Sequence, residues 1–384
     1  VTFLVHDGSV LLDTGFETAN VMVSSEGLAL EPHDVGARLR FDARDLLVLP
    51  GMVDIHGDAF ERQIMPRPGV SFPIDLALLD TDRQLITNGI TTACLGITYS
   101  WEPGLRGRDN AASLLDAVRQ LKPRTLADLK IHLRHETFHL DGEEQVLRWI
   151  EQGRLSVLAF NDHMEGIVKT TSSKHAKLVK MVERSGLTEA EFTALVDRVW
   201  QQRDEVAGSV ARLAKAAVEA GIVLMSHDDR SPEERRHYRH LGCTIAEFPM
   251  TEATAREAIE AREATVFGAP NVVRGGSHTG CPAAEDMASK RLLTILASDY
   301  YYPAMAQAPY LLDRKGVMPL ADAWAMVSKG PAEALGLTDR GRIADGLRAD
   351  LVLASPSPEG MRLVATFALG KLVFCTEPHR IRGN

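Results

Sequence analysis

The chain predicts an α/β fold, a (β/α)8 TIM-like barrel with a small β-sandwich formed by its two ends, on three observations: short β-branched apolar runs recur, helical spacing follows most of them, and both ends read as strands without helices. The strand candidates are Val48 to Ile55, Ile90 to Leu95, Leu129 to Leu133, Ser156 to Asn161, Ile222 to Ser226, Thr244 to Glu247, Thr265 to Phe267 and Leu292 to Ala297. Strands alternating with helices imply parallel pairing, because parallel strands need a long crossover. The clearest crossover precedes the fifth candidate, where Val206, Val210, Leu213 and Ala217 share one helical face and Gly221 supplies the stop. A doubly wound open sheet also suits the alternation, but no GxGxxG follows an early strand. Residues 1–48 and 340–384 are broken by turn signals such as Asp7-Gly8, Asp345-Gly346 and Leu369-Gly370. Since termini commonly lie close together, these segments are expected to form the sandwich, leaving 49–339 as the barrel. An amphipathic insertion near 172–202 suits a lid or an oligomer surface.

Composition narrows the class. With 384 residues, 45% hydrophobic and 25% charged, the chain can bury a large core and is neither disordered nor a coiled coil. A net charge of −9 argues against general attraction to nucleic acid or an anionic membrane, so an anionic substrate must be held by local arginines. Cys94, Cys243, Cys281 and Cys375 form no CxxC, which suggests neither a disulfide framework nor a zinc ribbon. No apolar run is long enough to span a bilayer, and the first residues do not read as a signal peptide. A cytoplasmic protein is expected, with a small-molecule partner and the homo-oligomer question open.

Chemistry gathers at the ends of the candidate strands. His56 and Asp58 lie two apart in an extended segment, so imidazole and carboxylate point the same way and can chelate a divalent ion. The third strand ends in Arg134-His135-Glu136, the fourth in Asn161-Asp162-His163, the fifth in Ser226-His227-Asp228-Asp229 and the eighth in Ser298-Asp299. In a barrel those ends ring one mouth, where catalytic groups sit. A lone His or Asp at a strand end more often caps a helix; coincidence over five ends is harder to sustain. His132 and His139 read as structural. His278, in Arg274-Gly275-Gly276-Ser277-His278, lies in a glycine-rich loop suited to an anion or to an ordinary turn.

Pro50-Gly51-Met52-Val53-Asp54-Ile55-His56, Asn88-Gly89-Ile90-Thr91-Thr92 and the run from Gly341 to Val352 resemble the amidohydrolase superfamily over nearly the whole chain. HGDAFERQIMPRPGV, EFPMTEATA, GAPNVVRGGSHTG and SDYYYP are similar to the α-D-ribose 1-methylphosphonate 5-triphosphate diphosphatases, which carry HxD in place of HxH. This resemblance implies a metal-dependent hydrolase with two divalent ions, Zn²⁺ or else Mn²⁺. His56 and Asp58 would hold the inner ion with Asp299, His163 and His227 the outer one, and Glu136 would bridge, with Asp162 the competing carboxylate. Two cations lower the pKa of a shared water from 15.7 to about 7, and Asp299 would take its proton as the α-phosphorus is attacked and pyrophosphate leaves. Arg62, Arg67, Arg134 and Arg274 are the candidates for phosphate contacts, with His278 and Glu247 as further substrate-binding residues. The alternative is a paralogue that opens a C–N or lactone bond. Met164-Glu165-Gly166-Ile167 stands where the diphosphatases carry Thr-Pro-Gly-Gln, and a glutamate there is expected to repel a triphosphate.

Overall fold

The computed structural model describes residues 2–31, 36–67, 69–173, 176–276 and 281–383. Its centre is a sheet of eight parallel strands: β1 (Met52–Gly57), β2 (Ile90–Tyr99), β3 (Asp128–Glu136), β4 (Val157–Asn161), β5 (Val223–His227), β6 (Ile245–Glu247), β7 (Ala264–Gly268) and β8 (Ile295–Ala297). They pair in sequence order, and a parallel bridge between Gly57 and Asp299 brings the last strand back to the first. Two backbone hydrogen bonds of 2.9 Å make that seam, Asp299 N–H to His56 O and Asp58 N–H to Asp299 O. Ile55, Cys94, Val157, Met225, Ile245 and Ile295 fill the barrel interior, and a larger apolar layer packs between strands and helices. The crossover helix Arg203–Glu219 buries Val210, Leu213 and Ala217, and Gly221 follows it with φ of 70°.

The first strand candidate, Val48 to Ile55, is corrected to two strands. Leu47–Pro50 pairs antiparallel with Leu351–Ala354 in a second sheet, and only from Met52 does the chain join the barrel. The division falls at Gly51, where a Cβ would lie 2.5 Å from Thr91 Oγ1. Both halves are buried, Val48 in the core of the second sheet and Ile55 in the barrel interior with Leu49 and Met52 in the shared layer between, so one unbroken apolar run covers two elements.

The chain ends build this second, mostly antiparallel sheet of nine strands around Phe3–Leu12, which pairs with Gly15–Ser24, Leu39–Asp42 and Leu47–Pro50. Phe3 and Phe367 meet edge to face at 5.2 Å, although two other strands separate theirs in the sheet. The sheet therefore curls over itself and encloses its own core of Phe3, Val21, Phe41, Val48, Leu351 and Phe367.

Between β4 and β5 the insertion forms three helices, Met164–Ser173, Ala176–Ser185 and Glu189–Gln201, ahead of the crossover helix. Thr188 and Glu191 close a capping box at the third. Phe138, Met164, Leu178, Phe192 and Val196 give the insertion a small core of its own. Among the described residues no helix is long and apolar enough to cross a membrane.

Candidate metal centre

Each of the three candidate histidines is held by a carboxylate through Nδ1. His56 Nδ1–H donates to Glu247 Oε1 at 2.7 Å, His227 Nδ1–H to Glu247 Oε2 at 2.6 Å, and His163 Nδ1–H to Glu136 Oε1 at 2.8 Å. A carboxylate only accepts, so each Nδ1 carries its proton while bonded and leaves Nε2 as the ligating atom. His56 and His227 stack 5.9 Å apart, and His163 stands edge-on to His227 at 5.6 Å.

Among the described residues four groups could hold an ion, the candidate donor atoms of each within 4.8 Å of one another; beside His56 with His227 and Glu247, already joined through Nδ1, the mouth holds two sets, His56 with Asp58 and Asp299, and His163 with His227 and Asp228. Imidazole nitrogen with carboxylate oxygen is a donor set for zinc or manganese. The local charge fits cations too. Glu136, with Asp228 behind it, drives the His163 imidazole up to about 10 against the effect of burial. Burial first, and then the neighbouring Asp58 carboxylate, push the Asp299 carboxyl up to about 6. Glu247 has no exposed surface; burial opposes its charge, yet the imidazoles of His56, His132 and His227 hold its carboxyl well below the usual range.

The seam does the positioning. Asp299 leaves β8 with φ of 54° and Asp228 leaves β5 with φ of 59°. Asp54 lies under the seam, where Ser298 donates to it from backbone N–H at 3.0 Å and from Oγ at 2.5 Å, tying β1 to β8. At Gly57 a Cβ would sit 2.7 Å from Asp54 Oδ2 and 2.9 Å from Ser298 Oγ.

Arg134 lies in the mouth, its Nη1 3.2 Å from Asp58 Oδ2 and its Nη2 3.4 Å from His227 Nε2. Arg62 and Arg274 flank Tyr300 at the rim: the first guanidinium lies 5.9 Å from the ring centroid, and the second donates to the hydroxyl at 3.2 Å. Arg67 is exposed in a turn closed by Val70 N–H and lines neither cavity of the mouth. His278 lies outside the described residues. Asp162 belongs to neither donor set; its carboxylate lies 3.8 Å from Arg230, which also stands 3.5 Å from Glu165 and offsets the charge expected to repel a triphosphate. His132 is buried beneath His56 and donates from Nδ1 to Ile55 O at 3.0 Å. His139 packs edge-on against Tyr99 at 4.6 Å.

Sequence reasoning passed over Asp228 as a ligand, although it stands beside His227 at a strand end. It also passed over Arg106 and Arg184, which line the outer of two cavities that share Arg134, His227 and Asp228. The inner cavity, about 760 Å³, adds Phe248, Phe267 and Tyr300 to residues of the two donor sets.

Residues 83–367 match the model of the amidohydrolase family. The chain is 31% identical over 339 residues to the alpha-D-ribose 1-methylphosphonate 5-triphosphate diphosphatase of Escherichia coli K12, covering 85% of this chain and 88% of that one. It is 25% identical over 336 residues to an adenine deaminase of Methylobacterium nodulans, covering 83% of this chain and 48% of the deaminase. A crystal structure of a prolidase complexed with N-methylphosphonate-L-proline superposes with a TM-score of 0.65 at 15% identity, over 98% of this chain and 100% of the other, which is a likeness of fold. Closed barrel, strand-end histidines and carboxylates and family match coincide: the chain belongs to the amidohydrolase family and is a hydrolase of that superfamily.

Proposed function

We propose that this hydrolase removes pyrophosphate from a sugar 5-triphosphate, α-D-ribose 1-methylphosphonate 5-triphosphate being the substrate its relative names. The observation that carries the reading is the turning of three Nε2 atoms to one mouth by Glu247 and Glu136. Two divalent ions of the zinc or manganese kind would be held by His56, Asp58 and Asp299 and by His163, His227 and Asp228. Bound there, such ions acidify water and neutralise phosphoryl oxygens.

The chain's own groups do the rest. Asp299, whose carboxyl lies up at about 6, is suited to take a proton near neutral pH. Arg134 is placed to donate to a phosphoryl oxygen between the two sets, and Arg62 and Arg274 to steady the outer phosphates at the rim. We assign Glu247 to holding imidazoles, because it is fully buried, and Glu136 to holding His163, with Asp228 supplying a carboxylate 3.5 and 3.6 Å from the Nε2 atoms of His163 and His227. A second reading, opening of a C–N bond in a planar ring, is favoured by the apolar wall of Phe248 and Phe267 and by the deaminase likeness.

The test is turnover of the ribose triphosphate by protein loaded with Zn²⁺ or Mn²⁺, beside cyclic amides and adenine. Pyrophosphate release is expected. Hydrolysis of a cyclic amide or of adenine with no pyrophosphate would replace this reading with the second.

A further inference from the structure

The outer cavity has a chemistry the reacting centre does not use. It measures about 1020 Å³ and runs from Arg134 outward to Glu102, Arg106 and Arg184. Along its far wall every guanidinium already has a carboxylate. Arg106 grips Glu61 with Nε at 3.0 Å and Nη2 at 2.8 Å. Arg184 Nη2 reaches both oxygens of Glu102, at 2.8 and 2.9 Å. The pairs cancel in charge, so an anion arriving there meets a carboxylate beside each cation. A hydroxyl group meets what it needs: O–H donates to a glutamate while its oxygen accepts from an arginine. Thr98, Ser100 and Thr170 line the same space.

Burial makes these bonds directional. Glu102 is 4% exposed, and in such surroundings an imperfectly matched polar group is costly. The arrangement is also built across two separate pieces of chain. Glu102 and Arg106 sit on the loop after β2, whereas Arg184 comes from the insertion helix Ala176–Ser185. The two are docked backbone to backbone, because Gly104, at φ of 84°, has no Cβ, and one placed there would overlap the Arg184 carbonyl.

We propose that this outer cavity binds the hydroxyl-bearing part of the substrate, a sugar-like polyol, and that Glu102 and Arg184 select it. The proposal rests on the diphosphatase reading only for its choice of probe.

Ribose 5-phosphate and its 2,3-dideoxy analogue are titrated calorimetrically into the Zn²⁺-loaded full chain, where no bond is broken. Wild type should bind ribose 5-phosphate on the order of tenfold more tightly than the analogue. Arg184→Met should abolish that gap while leaving affinity for the analogue unchanged, and Arg184→Lys should restore part of it. Glu102→Gln should act as Arg184→Met does; the Arg184 variants, on a partly exposed helix position, keep the test valid if the buried substitution disturbs folding. No gap in wild type, a gap surviving Arg184→Met, or equal weakening of both sugars would overturn the proposal, the last pointing to anion recognition. Absent pyrophosphate release with the gap intact would overturn the diphosphatase reading alone.

Discussion

Asp228 and Phe248, directly after barrel strands, and Asp299, the second residue past the end of β8, all hold left-handed backbone, with φ of 59°, 55° and 54°. For a residue with a Cβ this costs on the order of 1–3 kcal/mol, and the gain at the two aspartates is a carboxylate turned into the mouth. Asn tolerates the same conformation, so Asp228→Asn removes charge without altering the turn. Metal analysis should find about two ions per chain in wild type and fewer in Asp228→Asn and His227→Ala. Asp162→Ala, whose parent pairs with Arg230, should keep both ions; loss there with retention in Asp228→Asn would exchange the two assignments. The candidate histidines are legible in the sequence as chemistry-bearing residues at or just beyond the ends of apolar strand runs. The placement of Glu247 between two imidazoles and of Asp228 beside His163 and His227 is not. Glu247 stands 191 and 20 residues from its two imidazoles, and Asp228 is one of two consecutive carboxylates after His227, which a strand-end rule does not separate.

Element scale adds the joint between β1 and β8, where backbone bonds, the Asp54–Ser298 pair and the inner donor set share the same few residues. Gly57→Ala forces a methyl against Asp54 and Ser298, so it should lower Tm by several degrees and weaken metal binding together. A Tm unchanged within error would show that the seam yields at no cost. The layer outside β2 and β3 makes a separate prediction. Burial pushes the imidazole of His139 down to about 4 and that of His135 down to about 3. The folded protein therefore binds fewer protons than the unfolded chain in acid. This stability is whole above about pH 6.5 and is lost as pH falls toward those values. At pH 5 the loss is about 2 kcal/mol for His139 alone. Urea midpoints at pH 7 and pH 5 measure it, and His139→Phe should flatten part of the slope; an unchanged slope in that variant refutes the assignment. All eight strand candidates overlap strands of the barrel, because apolar runs of that length, set between helical stretches, have few other uses. The first of them, Val48 to Ile55, runs two strands together because every residue from Val48 to Ile55 is buried.

For the molecule as a whole, the barrel interior and the enclosed core of the terminal sheet are separate, although Leu11, Leu49, Val352 and Ala354 join the apolar layer outside the barrel, so removing ions from the mouth should leave the enclosed core of the sheet untouched. Chelator treatment is expected to lower Tm while far-UV circular dichroism at 25 °C stays native, with added Zn²⁺ restoring the transition. A chelated chain with native Tm would leave the ligand sets without a resident ion. The terminal sheet also dictates an order of events during synthesis. Leu47–Pro50 finds its antiparallel neighbour only in Leu351–Ala354, so the ribosome must deliver the whole barrel first, and until then one edge of the nascent sheet stands open to wrong partners.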